Sequence, residues 1–70
     1  MKQEKMRYFR RVADMTQLDL AQVLDSTEQR ISRIESGRTV PTYDEVRMIS
    51  SVLGHSPKKI FPEPFFNHDK

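Results

Sequence analysis

Cysteine is absent from the 70 residues, which excludes a disulfide framework and any thiolate-based metal or redox centre. Two separated histidines, His55 and His68, make a poor ligand set, so neither a metal nor a cofactor is expected. No apolar run approaches the ~18 residues that span a bilayer, and the mean hydropathy is -0.72. The opening MKQEKMRYFRR is charged throughout and lacks the apolar centre of a secretory signal, so the expected location is the cytoplasm. Also missing are repeats, low-complexity tracts, strand alternation, a nucleophile–base pair and a phosphate-cradling loop. No catalysis is implied.

What is present is small and mixed in charge. A chain of 8.3 kDa holds one domain. Ordering entropy of ~1.5 kcal/mol per residue brings the cost of folding to the order of 100 kcal/mol, which so small a core barely offsets. Helical economy or dimerisation is therefore expected. Residues 1–11 set five basic side chains against Glu4, residues 12–35 set Arg30 and Arg33 against five acids, and residues 36–59 return to a basic excess. With a net charge of only +2, a mixed-charge solubility surface is the plain reading of charge alone.

Pattern is helical almost everywhere. Met6, Phe9, Arg10 and Ala13 share one stripe of a first helix, about Lys2 to Ala13. Asp14 stands at the turn after it, because Asp tolerates left-handed backbone better than most residues. Thr16 caps a second helix, Gln17 to Leu24, with Leu20, Ala21 and Leu24 on one face. After Asp25-Ser26, Thr27 caps a third, Glu28 to Ser36, with Ile31 and Ile34 inward and Gly37 closing it. Thr42 and Glu45 form a capping box for a fourth, with Val46, Ile49 and Leu53 inward and Gly54 at its end. Ser56-Pro57 opens a short fifth helix that can dock Ile60 and Phe61 on the core before Pro62 and Pro64 stop it. The expected fold is all-α: a compact five-helix domain over residues 1–61, with a central helix-turn-helix, and a tail over 62–70.

Two short helices joined by a tight turn, with small Ala21 where the axes cross, form the skeleton of that motif. Thr16-Gln17 with Leu20-Ala21, the run Ile31-Ser32-Arg33-Ile34-Glu35 ending in Gly37, Pro41, and Leu53-Gly54 before Ser56-Pro57 resemble the Cro and lambda-repressor type helix-turn-helix, also called the Xre family. The resemblance covers about residues 6 to 61. It implies a five-helix domain that lays its third helix in the major groove of double-stranded DNA, with Thr27, Glu28, Gln29, Ser32 and Arg33 as the base-reading set. Gln29 suits adenine, Arg33 guanine, Glu28 the cytosine amino group and the Thr27 methyl thymine. Gln17, Arg30, Arg38 and Thr39 are the implied phosphate contacts, the last two lying in a loop whose backbone amides and side chains grip DNA. Arg10 and Glu35 match a structural ion pair between the first and third helices. The chain departs from the pattern at Asp25-Ser26, where Gly and an apolar residue are usual and a less rigid turn is expected, and at Leu18, Val23 and Met48, which are apolar where polar residues are common.

The resemblance implies a sequence-specific transcriptional regulator, of a phage-like or mobile-element repressor kind, working at the nucleoid and controlled by concentration, operator occupancy or a protein antagonist. The rival is an antitoxin or protein-binding adaptor using the same fold; a neighbouring toxin gene would favour it, a divergent promoter the regulator. A single recognition helix reads too few base pairs, so a homodimer on a pseudo-palindromic operator with half-sites ~34 Å apart is expected. The candidate pairing residues are His55, Pro57, Lys58 and Phe61, with Phe65 and Phe66 of the tail either joining them or folding back on the protomer. Truncation after Phe61 separates these: loss of cooperative binding to a two-half-site operator by a folded protein assigns the tail to the interface. Unchanged cooperativity excludes it, and a lowered melting temperature makes it core.

Overall fold

The computed structural model describes residues 2–61, which form five helices and no strand. They are α1 (Glu4–Val12), α2 (Gln17–Val23), α3 (Glu28–Ser36), α4 (Tyr43–Leu53) and α5 (Pro57–Ile60). The bounds of α3, α4 and α5 are those that the capping residues predict. α1 begins two residues later than the sequence pattern indicates, because Gln3 stays outside the helix and gives its backbone N–H to the Glu35 carbonyl at 2.8 Å. α1 and α2 also each end one residue early, on Ala13 and Leu24.

The helices are short, so their ends carry much of their hydrogen bonding. At the N-termini, the Thr16, Thr27 and Thr42 hydroxyls accept from the backbone N–H groups of Asp19, Arg30 and Glu45. Asp19 and Glu45 return the bond to Thr16 and Thr42, completing two capping boxes. At the C-termini, α1, α2, α3 and α4 all close in one way. An N–H just past the helix reaches the carbonyl five residues back: Met15 to Arg10, Ser26 to Ala21, Arg38 to Arg33 and His55 to Ser50. This closure requires left-handed backbone one residue earlier. Gly37 and Gly54 supply it at φ 83 and 78, and Asp14 and Asp25 supply it at φ 59 and 56. The exchange of Gly for Asp25 thus leaves the helix-turn-helix turn with its hydrogen bonds intact, the Ser26 to Ala21 bond measuring 2.8 Å.

Burial follows the helical stripes. Met6, Leu20, Ala21, Ile31, Ile34, Val46, Ile49, Leu53, Ile60 and Phe61 form one core drawn from every helix, with Phe9, Met15, Leu24 and Val52 packed around it. Ala21 is wholly buried, and α2 and α3 make the most extensive helix–helix contact in the molecule. A larger residue there would separate the two axes.

One polar assembly lies inside this apolar core. The Glu35 carboxylate is fully buried and accepts from Arg10 at both oxygens, Nε to Oε2 at 2.6 Å and Nη2 to Oε1 at 3.2 Å. Arg10 Nη1 donates to the Met15 carbonyl at 2.7 Å, so one guanidinium braces α1 against both α3 and the turn into α2. Removing one member of such a pair strands the other charge away from water. Arg10→Met is expected to cost about 3–5 kcal/mol, measured by urea unfolding, whereas Arg10→Met with Glu35→Leu should recover most of that loss.

Candidate nucleic-acid interface

α3 divides cleanly into two faces. Ile31, Ile34 and Glu35 are buried, and the opposite side presents Glu28, Gln29, Ser32 and Arg33 to solvent beside exposed Thr27 at the cap. All five base-reading candidates therefore lie on one continuous surface. Glu28, Gln29, Ser32 and Arg33 have side chains that make no hydrogen bond within the described residues, while the Thr27 hydroxyl is occupied with the cap and leaves its methyl as the free contact group.

The four phosphate candidates are placed differently from one another. Arg38 is exposed just past α3. The backbone amides of Arg38 and Thr39 both donate to the Arg33 carbonyl, at 2.9 and 3.3 Å, so the loop's grip on DNA cannot come from these amides. They are consumed in ending the helix. The guanidinium of Arg30 is likewise engaged, giving Nε to Glu45 Oε2 at 2.9 Å and Nη2 to Glu45 Oε1 at 2.6 Å, with Nη1 3.4 Å from the Thr39 hydroxyl. This forked pair clamps α3 to the first turn of α4, and Arg30 and Thr39 belong to that clamp. Gln17, half-buried, directs its amide nitrogen to Glu35 Oε1 at 3.0 Å. One of its two N–H groups is thereby used and one remains.

Glu45 is the residue that the sequence reading missed in this role. Its cap to Thr42 is written in local spacing, but its second partner stands 15 residues away and no local signal marks it. Hydrogen bonding from Arg30 holds the Glu45 carboxyl below its ordinary value, opposed by partial burial and aided by the Thr42 N–H.

The candidate pairing surface is only partly available. His55 is half-buried, its ring packed against that of Phe9 with centroids 4.1 Å apart. Pro57 and Lys58 line a cleft of about 390 Å³ with Tyr43, Val46, Arg47 and Ser56. Phe61 requires correction: it is 1% exposed, within the protomer's own core, and has no surface to offer a partner. Phe65 and Phe66 lie outside the described residues. Leu18, Val23 and Met48 are exposed, as are Tyr8, Val12, Val40 and Tyr43.

No helix among the described residues is long and apolar enough to cross a membrane, and no group of acidic and histidine side chains there could hold a metal ion. Compared with known proteins, residues 6–60 match the sequence model of a family described as helix-turn-helix. No curated protein and no solved structure matches the chain.

A carboxyl with a lowered native value binds its proton less readily folded than unfolded, so its contribution is complete at neutral pH. That contribution is lost as the pH falls below the unfolded value of about 4.3 and through the lowered native one. Glu45→Gln should therefore destabilise the protein at pH 7 and flatten the acid limb of its stability curve, read as melting temperature between pH 7 and 3.

Proposed function

The chain belongs to the helix-turn-helix family of the lambda-repressor type, a family of DNA-binding transcription regulators, and we propose that it is a sequence-specific repressor of the phage-like or mobile-element kind. The observation that carries this reading is the division of α3, one face buried in the core and the other presenting five exposed polar side chains on a rigid support. A helix of this kind fits the major groove, where donor and acceptor patterns distinguish all four base pairs. Gln29 can form two hydrogen bonds with adenine and Arg33 two with guanine; Glu28 accepts from cytosine, Ser32 serves either, and the Thr27 methyl meets thymine. Glu28 also weakens non-specific attraction to phosphate, which sharpens the choice of site.

Gln17, through its remaining N–H, and the Arg38 side chain are the proposed backbone contacts. Arg30 and Thr39 act one step removed, by fixing α3 against α4 through Glu45. Two copies pair through the region of His55, Pro57 and Lys58, so that two third helices address successive turns of a pseudo-palindromic operator. Such a protein works at the nucleoid, in the cytoplasm.

Selection from random duplex DNA tests the whole reading by returning a two-fold symmetric site. At that site, Gln29→Ala or Arg33→Ala should cost about 1–3 kcal/mol and relax preference at particular base pairs. Gln17→Ala or Arg38→Ala should weaken all sequences alike and reduce the salt dependence. A selected site and affinity unaltered by both Gln29→Ala and Arg33→Ala would overturn the assignment of α3 to the groove.

A further inference from the structure

α3 and the loop after it carry three guanidinium groups, those of Arg30, Arg33 and Arg38. Arg33 and Arg38 are exposed, and neither pairs with an acid among the described residues. Arg30 differs: its Nε and Nη2 go to the two carboxylate oxygens of Glu45 at 2.9 and 2.6 Å, and its Nη1 lies 3.4 Å from the Thr39 hydroxyl. Two parallel N–H groups on two oxygens is also the way an arginine grips a phosphate. Glu45 is preset for this role. It stands in the first turn of α4, where its Oε1 accepts the Thr42 N–H at 2.8 Å, so the cap orients the carboxylate that Arg30 meets. The two side chains are only 33% and 23% exposed, which shields the pair in part from the ions that screen a surface contact.

We propose that Glu45 is a specificity-determining residue, which occupies Arg30 in place of a DNA phosphate and so keeps that cation out of non-specific binding. The inference rests on the DNA-binding reading above and adds to it an acid that touches no DNA. Attraction to any duplex grows with the number of phosphates that a protein neutralises, whatever the base sequence. A duplex that drew Arg30 to its backbone would break both hydrogen bonds of the fork and leave the half-buried Glu45 carboxylate without its cation. With Arg30 withheld, the advantage of the chosen site depends on the base edges that Gln29 and Arg33 reach. Glu28 works in the same sense by repelling phosphate; Glu45 does so by sequestering a positive charge.

Glu45→Gln is the test, because Gln can keep the cap to Thr42 while giving up the charge. Binding of the full chain to its selected duplex and to a random duplex would be followed by fluorescence anisotropy from about 50 to 200 mM salt, at a temperature where thermal melting shows every variant folded. Glu45→Gln should bind the random duplex roughly five- to tenfold more tightly and steepen the slope of log K against log salt by about 0.9, so that the preference for the selected duplex falls. Adding Arg30→Gln should return the random-duplex affinity and slope to those of the parent. Asp44→Asn removes the same charge from the exposed neighbour and should reproduce little of the gain. Random-duplex binding unaltered or weakened by Glu45→Gln would reduce the pair to a structural clamp and overturn the proposal. An equal gain in Asp44→Asn, or a gain that survives Arg30→Gln, would overturn it too, by making the effect one of net charge; the DNA-binding reading stands in each of these cases. Failure of the parent to bind either duplex would overturn both.

Discussion

The buried carboxylate of Glu35 constrains everything around it. A charge with no access to water is tolerated only when surrounded by donors, and the chain brings them from three places: Arg10 in α1, Gln17 at the start of α2, and the Arg7 guanidinium nearby. The main chain of the same residue is anchored too, its carbonyl accepting from Gln3. Since Glu35 belongs to the last turn of α3, satisfying it fixes where α1 and α2 lie relative to that helix. The apolar contacts of Ile31 and Ile34 are compatible with small slips; a forked ion pair at 2.6 and 3.2 Å is far less so.

Orientation of α3 is completed from the other side. Glu35 holds its C-terminal end to α1, and Arg30 holds its first turn to α4 through Glu45. Between the two clamps lie the exposed Ser32 and Arg33, with Gln29 immediately before the first, so their positions are set by buried and half-buried groups. This arrangement separates the residues that support the surface from those that form it. It also accounts for Arg30, which is basic and near the surface yet committed inward. An interface built on nine-residue and seven-residue helices needs such bracing, because isolated helices of that length are marginal in water.

Much of this was legible in the residue pattern. The bounds of α3 and α4 follow from Thr27, Gly37, Thr42, Glu45 and Gly54, and the left-handed turn from Asp14, because capping and helix closure join residues three to five apart and are encoded by spacing. The solvent face of α3 follows from the same periodicity. The Arg10–Glu35 pair, 25 residues apart, was implied only by resemblance to a family and would have stayed invisible to periodicity.

Tertiary structure alone decided which polar groups remain free. A long side chain such as that of Arg30 can reach phosphate, solvent or a neighbouring helix with nearly equal ease, and the choice depends on where Glu45 lies once α3 and α4 have packed. The same holds for the amide of Gln17, which local pattern marks as wholly available and of which the fold commits one N–H to Glu35. Phe61 is the apolar counterpart: a residue beyond the last helical turn could cover a partner or its own core, and the space left between the packed helices takes it in completely. Local spacing determined the elements and their faces, because those depend on hydrogen bonds within one turn. The meeting of distant side chains determined the site, because it depends on how the elements cross.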